Sequence, residues 1–318
     1  MKIVVLDGYT LNPGDTSWEP IEALGDLKVH DRTAPELVLE RSESADILVV
    51  NKALMPREVI ESLPSLKFIS VMATGYNVVD VQAARERNID ISNVPVYSTT
   101  AVAQHVFAAL LSFNHGISEH VDSVRRGDWV ECNDFSYWYR TIHELAGKTM
   151  GIVGFGQIGR ATAKLADAFG MKVIVHTRTP KNAPDYEGFE WADLESVFQR
   201  ADVVSLHCPQ TADNVGFVNE SLLSQMKPTA ILVNTARGLL VNERDLASAL
   251  NQSKIAGACL DVVAEEPMRA ANPLRRAKNC MITPHIAWAA IESRQRLMHT
   301  TAENIAAFIA GNPINVVN

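Results

Sequence analysis

The sequence predicts an α/β fold built on parallel sheets, and three observations carry that prediction. Short β-branched runs alternate with helical patterns from one end of the 318 residues to the other. Several runs, among them Ile47–Val50 and Ile231–Asn234, are apolar without alternation, as expected of strands covered by helices on both faces. Strand and helix patterns also take turns rather than forming separate blocks, which is how parallel strands joined by helical crossovers read. The length suits two domains around separate cores.

The elements follow in order. A first series of strand candidates comprises Ile3–Leu6, Ile47–Val50, Phe68–Val71 and Ile89–Ser92. A long apolar helix is expected over about Ala101–Ser118, because Val102, Val106, Phe107, Leu110 and Phe113 fall at helical spacing. The segment Arg126–Gly147 is aromatic-rich (Trp129, Phe135, Tyr137, Trp138, Tyr139), lacks either period and reads as irregular. From about residue 148 a second series brings Met150–Val153, Val173–His176, Val203–Leu206, Ile231–Asn234 and Ala258–Leu260, with helices such as Ile158–Phe169 and Arg244–Leu250 between them. Asn242 suits the N-cap of the latter helix, with Asp245 in its first turn. A last helix, about Glu292–Ala310, should stop at Gly311-Asn312-Pro313. No repeat at solenoid periods and no low-complexity tract interrupts this order.

Composition narrows the function. Hydrophobic residues make up 47% and charged residues 21%, an ordinary globular profile. The net charge of −8 and the lack of any Lys/Arg run argue against nucleic-acid and membrane partners. Cys132, Cys208, Cys259 and Cys280 show no paired short spacing, so no metal site is implied and reduced thiols are expected. The opening MKIVVLDGYT is too short an apolar run for a signal peptide, and no stretch approaches the roughly 18 to 20 apolar residues of a membrane span. The expected compartment is the cytoplasm.

The most informative local motif is Gly154-Phe155-Gly156-Gln157-Ile158-Gly159, which follows one strand and opens the next helix. The first glycine permits a tight turn, the second lets a pyrophosphate approach the backbone, and the third allows close helix–strand packing. The helix N-terminus offers unpaired N–H groups and partial positive charge to the phosphates. In this context the motif predicts dinucleotide binding. The following strand should end in an acid if the ribose carries a free 2′-hydroxyl. It ends instead in His176-Thr177-Arg178-Thr179-Pro180-Lys181, with Asp185 the nearest following acid. Thr177, Arg178 and Lys181 can donate to a 2′-phosphate, so NADP is favoured while NAD remains possible; Arg178 stacking on adenine is the competing reading.

Three later segments each bring a reactive side chain to a strand end: Val233-Asn234-Thr235-Ala236-Arg237-Gly238, Leu260-Asp261-Val262-Val263-Ala264-Glu265-Glu266-Pro267, and Thr283-Pro284-His285-Ile286-Ala287-Trp288. Ligands of open parallel sheets bind outside the carboxyl ends of the strands, where these residues can meet. With Ala73-Thr74-Gly75-Tyr76-Asn77-Val78-Val79-Asp80 and Asn93-Val94-Pro95, they make the whole chain resemble the D-isomer-specific 2-hydroxyacid dehydrogenases. Pro284-His285-Ile286-Ala287-Trp288-Ala289, Asp134-Phe135-Ser136-Tyr137-Trp138 and Glu144-Leu145-Ala146-Gly147-Lys148-Thr149 resemble the glycerate dehydrogenases, or hydroxypyruvate reductases, within that family.

The resemblance implies two Rossmann-like, doubly wound parallel-sheet domains with the active site in the cleft between them. Residues 1–100 plus 292–318 would form the catalytic, substrate-binding domain and 101–291 the dinucleotide-binding domain, in a homodimer. It implies Arg237, Glu266 and His285 as the catalytic set, and the chemistry agrees. Hydride reduction of a ketone leaves an alkoxide that a histidine can protonate, a carboxylate can orient that ring, and a guanidinium can clamp a 2-keto acid. Glu265 is the competing acid; Glu266 is preferred because it precedes Pro267. By the same resemblance Thr74 and Gly75 would hold the substrate carboxylate, Asp261 would receive the nicotinamide carboxamide, and Thr235, Ala236 and the loop His207-Cys208-Pro209 would border the cofactor. Trp288 would wall the substrate pocket or pack in the core, and Lys52 would line the pocket or face solvent. The reaction expected is hydride transfer between NAD(P)H and a small 2-keto acid such as hydroxypyruvate or glyoxylate, giving D-glycerate or glycolate. Another keto acid, a formate or phosphonate dehydrogenase relative, and a nucleotide-sensing binding protein on the same fold are the alternatives.

Overall fold

A computed structural model describes every residue, Met1–Asn318. The chain forms two compact units, Met1–Ser98 with Ala289–Asn318, and Thr99–Trp288.

The first unit holds a five-stranded sheet, β1 (Lys2–Val5), β2 (Asp26–Val29), β3 (Ile47–Val50), β4 (Phe68–Val71) and β5 (Asp90–Ser92), in the order β2-β1-β3-β4-β5. Every pairing is parallel. β3 and β4 are buried along their whole length, which accounts for their unbroken apolar sequence. Where the strand order reverses, between β1 and β3, the Asp7 carboxylate accepts the backbone N–H groups of Asn51 and Ala53, each at 2.8 Å, and that of Lys52. The loop bearing Lys52 is thereby fixed. The helix Ile291–Ile309 belongs to this unit, with Phe308 stacked on Phe68 at 4.5 Å. Its buried Arg294 makes a two-pronged bridge to Asp15 at 2.6 Å and donates to the carbonyls of Leu11 and Ala289.

The second unit holds seven parallel strands: β6 (Thr149–Val153), β7 (Lys172–His176), β8 (Phe189–Trp191), β9 (Val203–Leu206), β10 (Ile231–Asn234), β11 (Gly257–Leu260) and β12 (Cys280–Ile282). Their order is β12-β11-β10-β9-β6-β7-β8, doubly wound with its reversal between β6 and β9. Successive strand residues face opposite sides. Val204, Leu232, Ala258 and Leu260 pack with Phe198 and Leu246, whereas Val203, Val233 and Cys259 pack with Val106, Phe107 and Ala163. Two buried layers therefore sandwich the sheet.

Three strands, β2, β8 and β12, have no counterpart among the predicted runs. All three are sheet edges, and none is fully buried. An edge strand needs less apolar sequence, so its periodic signal is weak. The long helix is also shorter than expected: it spans Thr99–His115, and a second helix, Ile117–Arg126, begins after Gly116, whose φ is +54°. No α-helix can run through a left-handed residue, so Ile117 and Ser118 belong to the second helix. Residues 127–147 contain no helix or strand. No helix is long and apolar enough to cross a membrane.

Candidate active site

Every reactive residue singled out in the second unit follows the carboxyl end of a strand in one parallel sheet: Gly154 after β6, Thr177 and Arg178 after β7, His207 after β9, Thr235–Arg237 after β10, Asp261 and Glu266 after β11, and His285 after β12. Parallel strands put those ends on one edge, where ligands of such sheets bind.

Gly154 has φ +95°, and a Cβ there would lie 2.5 Å from the Cys208 backbone nitrogen. Glycine is required on both counts, because the turn presses against the His207-Cys208-Pro209 loop. His207 N–H donates to the Val153 carbonyl at 2.7 Å, and its Nε2 lies 2.9 Å from the Ser205 hydroxyl. Burial pushes the His207 imidazole down to about 4, so this ring is neutral at ordinary pH. Phe155 is buried beneath the turn. The helix Gln157–Ala168, containing Ile158 and Gly159, is N-capped by Gly156, beside which a Cβ would meet only open space. That space, together with the N–H groups of the helix's first turn, fits a dinucleotide pyrophosphate. The loop after β7 is tied to this helix, since Arg160 donates to the carbonyls of Lys181 and Asn182 at 2.9 and 2.7 Å while lying 4.3 Å from the Phe155 ring centre. A second sign of a missing polar neighbour is the hydroxyl of Thr235, which is buried and has no hydrogen-bond partner in the chain.

The turn bearing Arg237 is shaped by Asn234, whose buried side chain accepts the Ala236 N–H at 3.0 Å and donates to the Arg237 carbonyl at 2.9 Å. The Arg237 guanidinium is exposed and donates to the Ala236 carbonyl at 2.6 Å. Gly238 follows because a Cβ at this position would sit 1.9 Å from the Val263 carbonyl carbon. The turns after β10 and β11 are thus in backbone contact. Glu243 pins the second of them, accepting from the Ala264 N–H at 2.8 Å and the Asn272 amide at 2.9 Å.

Glu266 and His285 meet: His285 Nδ1 lies 2.6 Å from Glu266 Oε2, and the other oxygen accepts the Val263 N–H at 3.1 Å. Glu265 pairs instead with Arg269 on the surface. The preferred acid, Glu266, and its competitor, Glu265, thus have different partners. His285 is a left-handed residue, φ +54°, with its N–H donating to the Asp261 carbonyl at 2.8 Å and its carbonyl accepting the Trp288 indole N–H at 2.9 Å. Asp261, 2% exposed, accepts from the Thr283 hydroxyl and the N–H groups of Ile286 and Ala287. In the first unit the Thr74 hydroxyl donates to the Val94 carbonyl at 2.9 Å, and Gly75 follows it in an irregular turn beyond β4.

Sequence reasoning missed Asn234, Ser205, Glu243 and Thr283. Asn234 and Ser205 carried a usable signal: a polar residue inside a fully buried strand must find a partner, and here both serve the adjoining loop.

Comparison with known proteins identifies the family. Residues 107–287 match the D-isomer-specific 2-hydroxyacid dehydrogenase NAD-binding domain. The chain is 47% identical to a hydroxypyruvate reductase of Blautia hydrogenotrophica, covering all of both proteins. It is 39% identical to a glycerate dehydrogenase of Methylorubrum extorquens, covering 99% of this chain and 98% of that one. Among solved structures, an acyclic imino acid reductase in complex with NADPH and D-Arg superimposes with a TM-score of 0.85 at 35% identity, covering the whole of both chains. A nicotinamide-binding fold, a paired histidine and carboxylate, and these relatives lead to one conclusion: the chain belongs to the D-isomer-specific 2-hydroxyacid dehydrogenase family, oxidoreductases acting on CH–OH donors.

Proposed function

We propose that this enzyme reduces hydroxypyruvate, and less readily glyoxylate, with NADPH preferred over NADH. The observation that carries the reading is the 2.6 Å contact between His285 Nδ1 and Glu266, beside an Arg237 turn held by buried Asn234. With Nδ1 engaged, the proton for the substrate oxygen leaves from Nε2, and Glu266 stabilises the charged ring before transfer. Arg237 clamps the substrate's carboxylate and keto oxygen, and Thr74 and Gly75 add donors to that carboxylate. Bound reduced nicotinamide supplies the hydride to the keto carbon. Gly154 to Gly159, His207, Cys208, Pro209, Thr235, Ala236 and Asp261 are the cofactor contacts, and Trp288 limits the substrate's bulk. Residues 101–291 are assigned to the dinucleotide and 1–100 with 292–318 to the substrate.

The preference for NADPH rests on Thr177 and Arg178 in a loop whose nearest following acid is Asp185. The preference for hydroxypyruvate rests on the 47% identical relative of that activity. Initial rates at the reduced-nicotinamide absorbance band, with hydroxypyruvate, glyoxylate, pyruvate and phenylpyruvate and both cofactors, test the whole reading. Hydroxypyruvate with NADPH should give the highest kcat/KM; a higher value for phenylpyruvate refutes the substrate, and equal use of NADH refutes the cofactor preference.

We also propose a homodimer in the cytoplasm. Ile117, Val121 and Val124 make an exposed apolar stripe on one helix, and Val130, Phe135 and Trp138 in the irregular segment after it are 88%, 91% and 65% exposed. Apolar surface of this kind marks an interface. All four cysteines are unpaired thiols, which suits a reducing compartment. Sedimentation should give a dimer mass for the wild type and a monomer mass for Phe135→Asp; a wild-type monomer refutes the proposal.

A further inference from the structure

His105, on the helix Thr99–His115, is a half-buried histidine with no part in the reaction described above. Its Nε2 lies 3.1 Å from the Thr283 hydroxyl and 3.6 Å from Asp261 Oδ1. The Thr283 hydroxyl donates to that same Oδ1 at 2.6 Å, which leaves its oxygen lone pairs facing the His105 N–H. A chain of hydrogen bonds therefore runs from the helix, through Thr283, to a carboxylate that is almost fully buried.

That carboxylate holds the backbone on which the reactive histidine is mounted. Oδ1 accepts the Ile286 N–H and Oδ2 the Ala287 N–H, each at 2.8 Å, while the Asp261 carbonyl accepts the His285 N–H at 2.8 Å. Three consecutive N–H groups hang on one residue. His285 needs such support, because a non-glycine residue persists in an uncommon backbone region only where its surroundings hold it there. If Asp261 turned, the main chain at 285 could relax toward an extended conformation and carry the ring away from Glu266.

We propose that His105 is a positioning residue for the reduction: by donating through the Thr283 hydroxyl it locks the Asp261 carboxylate, which sets the backbone of residues 285–287 and so the aim of His285. This inference rests on the assignment of His285 as proton donor. It does not require His105 to touch substrate or cofactor.

Three variants test it: His105→Leu; His105→Gln, which keeps a side-chain N–H of similar reach; and Thr283→Val, which removes the middle link. Misaiming His285 should lower kcat about 10- to 100-fold in His105→Leu and Thr283→Val, a larger change than in the Kd for NADPH, read by nicotinamide fluorescence, which Asp261 also serves. His105→Gln should recover most of the lost kcat, which a mere packing role would not allow. Amide hydrogen exchange at 285–287, measured on the enzyme without substrate, should accelerate in the Leu and Val variants and return to the wild-type rate in the Gln variant. Wild-type kcat and exchange in His105→Leu overturn the proposal, as does a Gln variant impaired as badly as the Leu variant. A wild-type enzyme that reduces no keto acid overturns the reductase reading instead. Exchange then decides the His105 question alone: an unchanged rate rejects the lock, and acceleration reversed by glutamine supports it.

Discussion

His285 carries two constraints at once, a left-handed backbone and a ring held by Glu266, and removing each should have a different kinetic signature. Deleting the ring in His285→Ala removes the proposed general acid and should lower kcat about 10²- to 10⁴-fold with NADPH affinity retained. Glu266→Gln keeps a neutral contact to Nδ1 but removes the charge facing the ring, so kcat should fall, by less than in His285→Ala. Glu265→Gln, which disturbs only a surface pair with Arg269, should leave kcat where it is. Measurements of kcat and NADPH affinity on the three variants check this, and a loss that follows Glu265 instead contradicts the assignment. Gly238 makes a structural counterpart. Its Cβ position falls 1.9 Å from the Val263 carbonyl carbon, and backbone on that side cannot swing away as a side-chain tip would. Gly238→Ala should cost about 1–3 kcal/mol or more by overpacking, visible as a lower urea midpoint. A midpoint equal to wild type would mean that the turns after β10 and β11 separate freely.

At the scale of elements, the strand ends decide both function and acid sensitivity. His207 follows β9, and burial depresses its imidazole from the ordinary 6.5 to about 4. Between those values the unfolded chain takes up a proton that the folded chain refuses. This contribution to stability is therefore complete above 6.5 and is lost as the pH falls toward 4, at a limiting slope of about 1.4 kcal/mol per pH unit. A His207→Gln variant should show a shallower fall in urea midpoint across that window; an identical slope would assign the acid sensitivity to other groups. How far such elements can be read from sequence depends on burial. β3, β4, β9 and β10 are buried end to end, and their predicted and observed limits coincide. β8 and β12 have three residues each and lie at the edges, so neither period had room to appear. The family and its reaction class were legible because glycine turns and strand-end motifs are local in sequence. Glu266 is preferred to Glu265 in the sequence only for the following proline, whereas in the structure the two differ by their side-chain partners, His285 for Glu266 and Arg269 for Glu265, which no periodic pattern shows. His105 and Thr283 were invisible for a similar reason: 178 positions separate two side chains that share a hydrogen bond.

For the whole molecule, the seven-stranded sheet serves as a ruler. The loop that carries Thr177 and Arg178 follows β7, while Arg237 follows β10, and two strands, β6 and β9, stand between them. Neighbouring strands lie about 4.8 Å apart, so three spacings separate the two positions by about 14 Å. Groups that far apart with no shared partners have nearly additive effects. Thr177→Asp places a negative charge where a 2′-phosphate would come, and should lower kcat/KM for NADPH by about tenfold while NADH is less affected, in line with the loss of a charge-assisted hydrogen bond. Combined with a substrate-side change such as Trp288→Ala, the logarithms of the two effects should sum within experimental scatter; a strong departure would show that the sheet couples them. Electron-donor choice and acceptor choice would then be two independent dials on one scaffold. A lineage, or an engineer, could turn either through a single loop and leave the other at its former setting.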